Sequence, residues 1–300
     1  MEIFNELNDK NKNLSIALGF FDGIHIGHRA VLNSAISYAK QNRVKSAVVT
    51  FENHPRCYFS KCIPEYILSK HDKLKMFEEL GFDFIYYLRF DERLANMSAK
   101  DYLETLYKNL EPKAISTGFN HTFGINKEGN SDFLDKNQNL FDYKYFKIEP
   151  LKIENNIISS SLIRANLTNG NIEQVNKMLG YKYFLEETVV KGEQIGRTIG
   201  FRTANLLYPQ HMLNIAKGVY SVEVEYNNKI YKGIANFGMR PSLENTKIPI
   251  LEVHILDFNK DIYGEKIKVN FLKKIRDEKK FASLDELKKQ IFKDVQAMDI

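Results

Sequence analysis

Cysteine is nearly absent from this 300-residue chain, with only Cys57 and Cys62 present. Two thiols cannot build a four-cysteine zinc site or a disulfide framework, and so low a count points to a reducing compartment. Long apolar runs are also missing. No stretch approaches the roughly 18 uncharged apolar residues of a membrane helix. Residues 1–12 mix acids, amides and bases without the apolar block of a signal peptide. The expected location is therefore cytoplasmic, with no membrane partner. Gly (16) and Pro (7) are too scarce for a collagen-like or proline-rich chain. A dense basic stripe with interleaved aromatics is lacking too. The 43 Lys and Arg are dispersed among 38 Asp and Glu, giving a formal balance of +5. Nucleic acid is not the expected partner, whereas a mild positive charge suits anionic small molecules.

What is present is a globular composition. Hydrophobic residues make up 43% and aromatic residues 12%, too much for a disordered chain. The length predicts one large or two ordinary domains. Residues 14–19, 44–51, 84–90 and 113–118 read as short buried strands. Helices are expected between them, from Gly27 to Lys40, after Ser69 with Asp72 as capping partner and Gly81 at the stop, and after Ser98 with Asp101. This alternation predicts an α/β, Rossmann-like parallel sheet with helices on both faces. Two short helices, at 161–167 and 172–179, are separated by Asn169 and Gly170. Beyond them the grammar changes to short strands with turns, Asn227-Asn228 being a hairpin tip, and one last helix starts after Ser283 with Glu286 as its cap partner. This predicts an antiparallel β-barrel with a terminal helix. The expected boundary gives residues 1–182 and 183–300.

Two stretches carry chemistry. The first is Gly19-Phe20-Phe21-Asp22-Gly23-Ile24-His25-Ile26-Gly27-His28, at the end of the first strand and the start of the first helix. Ligands bind at the carboxyl ends of parallel strands, and a helix N-terminus attracts phosphate. His25 and His28 face one ligand from the first turn, and Gly27 admits close backbone approach. Two imidazole donors suit nucleotidyl transfer, where charge grows on the α-phosphate oxygens. The plain alternative is a histidine pair on a solvated helix end. Ser159, Ser160 and Ser161, with Arg164 one turn in, form a second anion site or merely an N-cap. The second stretch runs from Gly192 through Gly196 and Gly200 to Thr203 and Asn205. It is a Gly-punctuated loop whose hydroxyl and amide, two residues apart, can hold Mg²⁺ with phosphate oxygens. It is not a Walker loop, and by spacing alone a mobile surface loop is the better reading.

Together these strings resemble the bacterial bifunctional riboflavin kinase/FMN adenylyltransferase (FAD synthetase) family. The His25–His28 segment resembles the HxGH signature of nucleotidyltransferases. Thr50-Phe51-Glu52-Asn53-His54-Pro55-Arg56 is similar to the family's TFxPHPR motif, with Asn53 where Pro is usual. Gly118-Phe119-Asn120-His121-Thr122-Phe123-Gly124 is similar to G-x-[DN]-F-x-F-G, with His121 for Phe, and residues 158–164 to ISSTxIR. In the second half, residues 196–205 resemble the kinase signature GRTxGFxTAN, with Arg202 in place of its Pro. Gly218-Val219-Tyr220, Glu252-Val253-His254 and Arg276-Asp277-Glu278 follow in the family's order.

The resemblance implies a bifunctional enzyme that uses ATP and Mg²⁺ to phosphorylate riboflavin to FMN and to adenylylate FMN to FAD with release of pyrophosphate. It implies that His25 and His28 stabilise the adenylyl-transfer transition state. Gly19, Phe20, Asp22, Gly27, Asn120, Ser159, Ser160 and Arg164 would bind ATP and FMN. In the kinase half, Gly196, Gly200, Thr203, Asn205 and Arg276 would bind ATP and riboflavin, Thr203 and Asn205 would hold the metal, and Glu252 would be the base. From spacing alone, Glu252 is an outward strand residue between inward Leu251 and Val253. Because Asn53, His121 and Arg202 depart from the pattern, a monofunctional FAD synthetase or riboflavin kinase is the alternative. Two further readings are a nucleic-acid-binding or tRNA-modifying relative and a zinc site from His25, His28, Cys57 and Cys62. Oligomeric state is not legible.

Overall fold

A computed structural model describes residues 1–61, 65–192, 200–241 and 247–298. The chain divides into two compact units, Met1–Ser160 and Ser161–Ile300.

The first unit is built on a six-stranded sheet in the order β1-β4-β3-β2-β5-β6, from β1 (Glu2–Phe4), β2 (Leu14–Leu18), β3 (Lys45–Phe51), β4 (Phe84–Leu88), β5 (Ala114–Gly118) and β6 (Lys144–Ile148). Every pairing is parallel. Strands β2 and β3 are buried along nearly their whole length, as a sheet covered on both faces requires. Helix α1 (Ile26–Asn42) covers one face, where the Ser15 hydroxyl donates to the Ala35 carbonyl at 2.8 Å. The helix Ala99–Leu110 covers the other. Its Leu103, Leu106 and Leu110 join Leu14, Ile16, Val49, Tyr86 and Ile115 in one core cluster. Emptying one such leucine to alanine costs about 2–5 kcal/mol.

The expected caps are present. After the short helix α2 (Pro55–Ser60), Ser69 accepts from the Asp72 amide and donates to its carboxylate at the start of α3 (Lys70–Leu80), and Ser98 and Asp101 repeat the device. Gly81 ends α3 in the left-handed conformation (φ 88°).

The chain leaves β2, pairs outward through β3 to β4, then returns to the other side of β2 with β5. The sheet therefore has its switch point between β2 and β5, where an open α/β sheet parts its loops into a crevice.

The short antiparallel pair β7 (Lys152–Ile153) and β8 (Asn156–Ile157) follows β6. The second unit holds a closed antiparallel barrel of β9 (Phe184–Val190), β10 (Ala204–Leu207), β11 (Gly218–Tyr226), β12 (Lys229–Pro241), β13 (Lys247–Ile255) and β14 (Lys266–Arg276), in the order β10-β13-β12-β11-β14-β9. Tyr220, Val222, Ala235, Leu251, Val253 and Phe271 fill its core. Asn227 and Asn228 (φ 47° and 59°) form the expected two-residue tip between β11 and β12. The helices Ser160–Asn169 and Ile172–Leu179 fall in this unit, so the compact division lies earlier than residue 182. Asn176 explains why the second helix belongs here: its amide donates to the Phe271 carbonyl and its side-chain oxygen accepts from the Tyr183 amide.

Candidate active sites

In the first unit the loop after β2 is tightly wound. Phe21 (φ 55°), Gly23 (φ 80°) and Ile24 (φ 35°) all lie in the left-handed region, which two bulky residues adopt only under tertiary constraint. Three contacts supply that constraint. The Thr50 hydroxyl donates to the Phe20 carbonyl at 3.1 Å, both Asp22 carboxylate oxygens accept from the Ile67 amide, and the Ser160 hydroxyl donates to the Asp22 carbonyl at 3.0 Å. Asp22 is thus a buried brace of the loop.

The loop delivers His25 to the N-cap of α1. Its Nδ1 accepts the His28 amide at 3.2 Å, and the two imidazoles stack with centroids 3.6 Å apart. A Cβ on Gly27 would come within 3.2 Å of the His25 ring, so glycine lets that ring lie over the first turn. Burial lowers the His25 pKa to about 4. The ring is therefore neutral at ordinary pH, with Nδ1 used as acceptor and the hydrogen on Nε2. Across the switch point, Asn120 follows β5, its Oδ1 3.6 Å from where a Cβ on Gly118 would stand. The arrangement is a neutral N–H donor at a helix N-terminus, with a second imidazole stacked on it and an amide from the neighbouring strand.

Other predicted residues take different positions. His54 caps the short helix Pro55–Ser60, and its ring lies 4.4 Å from that of Phe20. Asn53 has a structural reason to replace proline, because its amide bonds both the N–H and the carbonyl of Phe90, tying the ends of β3 and β4 together. Phe123 packs on Tyr102 and Phe133 at the core, with His121 stacked on it. Arg164 sits one turn into the helix Ser160–Asn169 and falls in the second unit. Cys62 lies outside the described residues, so the zinc reading from His25, His28, Cys57 and Cys62 falls partly outside them. Among the described residues, no group of three or more His, Cys, Asp or Glu is placed to hold a metal.

In the second unit, Thr203 and Asn205 stand where the loop enters β10. The sequence reads residues 192–205 as one loop, but Ala204–Leu207 is the sixth barrel strand. In the ladder Asn205 faces Val190 on one side and Glu252 on the other, and Glu252 faces Asn236 on β12. One row across three strands therefore reads Asn205, Glu252, Asn236. Nothing in the spacing pointed to Asn236; only register brings it here. Asn205 is buried and Glu252 half-buried. Gly192 approaches the Asn205 amide so closely that a Cβ there would lie 2.4 Å from Nδ2.

A cleft partly open to solvent is lined by Thr203, Asn205, Arg202, Phe258, Lys260 and Tyr263 among others. Arg202 is held without proline's ring. Its guanidinium donates to the Asn259 carbonyl at 3.2 Å, and its own carbonyl lies 2.8 Å from His254 Nδ1. Gly200 has φ 86°, while Gly196 lies outside the described residues. Arg276 is engaged elsewhere. Its Nε and one terminal nitrogen bind both oxygens of buried Asp294 in the C-terminal helix Leu284–Gln296, at 2.8 and 2.7 Å, beside the Phe281 ring.

Comparison with known proteins covers both units. A family model for FAD synthetase matches residues 7–162, and one for riboflavin kinase matches residues 179–299. The chain is 35% identical to the bifunctional riboflavin kinase/FMN adenylyltransferase of Bacillus subtilis (strain 168) over 289 residues, 94% of this chain and 90% of that one. It is 35% identical to the protein of the same name from Haemophilus influenzae over 302 residues, 99% and 97% of the two chains. A crystal structure from Streptococcus pneumoniae, described as a macrolide-efflux protein, has a TM-score of 0.88 at 32% identity, covering 99% of this chain and 97% of that chain. Among the described residues no helix is long and apolar enough to cross a membrane.

Proposed function

Because this chain belongs to the bifunctional riboflavin kinase/FMN adenylyltransferase family, we propose a residue-by-residue division of its two reactions. The chain phosphorylates riboflavin to FMN and adenylylates FMN to FAD, with ATP as co-substrate of both. The carrying observation is identity over nearly the whole chain with enzymes of both activities. We assign adenylyl transfer to residues 1–182 and phosphoryl transfer to residues 183–300, and a cytoplasmic setting.

In adenylyl transfer a phosphate oxygen of FMN attacks the α-phosphorus of ATP. The new P–O bond forms as the bond to pyrophosphate breaks, and no enzyme nucleophile is needed. Charge grows on the non-bridging α-phosphate oxygens. His25 meets that charge with its Nε2 hydrogen, the tautomer favoured by the hydrogen bond from the His28 amide to Nδ1. His28 supplies the second donor, the first turn of α1 adds its free N–H groups, and Asn120 hydrogen-bonds from the next strand. Gly19 and Phe20 wall the site, and Asp22 keeps the loop wound. Ser159, Ser160 and Arg164 are assigned to the β- and γ-phosphates.

In phosphoryl transfer Glu252 accepts the proton of the riboflavin 5′-hydroxyl as its oxygen attacks the γ-phosphorus and ADP leaves. The donor set suits Mg²⁺. Thr203 and Asn205 offer neutral oxygens beside a carboxylate, Gly192 leaves the Asn205 amide its space, and this metal is characteristically held by few protein ligands plus substrate phosphates. Mg²⁺, when bound, neutralises the β- and γ-phosphate charge. Gly196 and Gly200 are assigned to the phosphate loop. Arg276 is assigned to support the flavin end of the site from its ion pair with Asp294.

The test uses the two reactions as mutual controls. Glu252→Ala should abolish FMN formation from riboflavin, ATP and Mg²⁺ and leave FMN-to-FAD conversion intact; His28→Ala should do the reverse. Chromatography of FMN and FAD over time reads both. Undiminished phosphorylation by Glu252→Ala overturns the base assignment, and a wild-type chain that performs one conversion only is the monofunctional alternative.

A further inference from the structure

The apolar stripe of α3 contains a charge. Lys73, Met76 and Phe77 are buried at helical spacing, and Lys73 is only 5% exposed. Its ammonium lies 4.2 Å from the centroid of the Phe20 ring and 5.7 Å from that of Tyr87. The Asp22 carboxylate favours its charge. Placing a cation on a buried helix face is costly, so its position there calls for a reason beyond packing.

The surroundings supply one. Phe20 stands in the signature loop between β2 and the histidine pair. Its ring also meets His54 at 4.4 Å and Tyr66 at 5.9 Å. The same helix steadies the loop further on, with Phe77 against Phe21 and Phe21 against His28. The charged and titratable groups around Lys73 are Asp22 from the loop, which favours the ammonium, Tyr87 from β4, His54 and Tyr66 against the shared ring, and Lys70 one turn back, paired with Glu52 at 2.9 Å.

Resting on the adenylyltransferase reading above, we propose that Lys73 is a positioning residue of that site, whose buried ammonium fixes the Phe20 ring, and with it the wall of the substrate pocket. A cation over an aromatic face is most effective when desolvated, as here. The device is also sensitive to pH. Burial lowers the Lys73 pKa to about 7. The ammonium is complete below that value and is lost as pH rises through it.

The test is steady-state adenylylation of FMN from pH 6 to 9, with riboflavin phosphorylation by the same preparation as internal control. Lys73→Met should raise KM for FMN or ATP about tenfold with kcat changed less than threefold, and phosphorylation should be untouched. Lys73→Arg keeps a charge that does not titrate. It should restore KM and flatten the rise that wild type shows above pH 7. Phe20→Leu should raise KM as Lys73→Met does, and the double variant should add less than twofold; it also serves if Lys73→Met is insoluble. Wild-type KM in Lys73→Met and Phe20→Leu, a loss confined to kcat, or a pH profile in Lys73→Arg that matches wild type overturns the proposal. Absence of FAD formation by wild type overturns the underlying reading instead.

Discussion

Replacing Gly192 by alanine tests the kinase site at the first glycine of its loop, outside the signature at residues 196–205. The added methyl would lie 2.4 Å from Asn205 Nδ2 and 2.6 Å from Cγ and Oδ1, where ordinary Cβ contacts begin at 3.4 Å. The amide must therefore withdraw by about 1 Å. Asn205 is buried and locked in register between Val190 and Glu252, so its strand cannot follow. A displacement of that size at a positioning group costs roughly 100-fold in rate, or about 2.7 kcal/mol of transition-state stabilisation. The expected outcome is a loss of that order in kcat/KM for riboflavin phosphorylation, with FMN adenylylation within twofold of wild type. If the loss acts through the amide, Gly192→Ala should add little to Asn205→Ala, because the two changes remove one interaction. Wild-type phosphorylation by Gly192→Ala, or full additivity in the double variant, would refute the reasoning.

Two further outcomes follow from buried charge. His25 is held neutral in the folded chain, with its pKa lowered to about 4 by burial, whereas the unfolded chain takes up the proton near 6.5. Its contribution is complete above pH 6.5 and declines as pH falls toward 4, by about 3 kcal/mol in all. Urea unfolding of His25→Asn, which keeps a capping oxygen, should lose this part of the acid dependence; an unchanged slope would contradict it. Asp294→Asn leaves the Arg276 guanidinium facing a neutral amide in a buried site. It should destabilise the barrel unit by about 3 kcal/mol, read as a lower thermal midpoint, and an unchanged midpoint would show the pair to be dispensable.

The helices were legible wherever the sequence wrote their ends. Ser69, Ser98 and Ser283 each cap the helix expected of them, and Gly81 and Gly180 stop theirs in the left-handed conformation. Both edge strands of the sheet were not. Glu2–Phe4 is three residues long, and Lys144–Ile148 is exposed or half-buried along its length, so neither shows a covered strand's apolar run. Ala204–Leu207 was hidden because a four-residue strand directly follows a glycine-rich stretch. In the sites, the residue types were readable but their partners were not. The Arg276–Asp294 pair spans 18 residues, and the Asn205–Glu252 pairing depends on strand register, which no local pattern encodes. Lys73 did leave a signal, a lone cation on the apolar face of α3, which reading the helix for its caps alone passes over.

The row of Asn205, Glu252 and Asn236 has an evolutionary corollary. Side chains along a strand alternate between faces. One codon inserted or deleted within β10, β12 or β13 would turn a member of that row to the opposite face of the barrel wall. Length variation among descendants of this gene should therefore accumulate in the connecting turns, while the three strands tolerate substitution far better than any change in residue number.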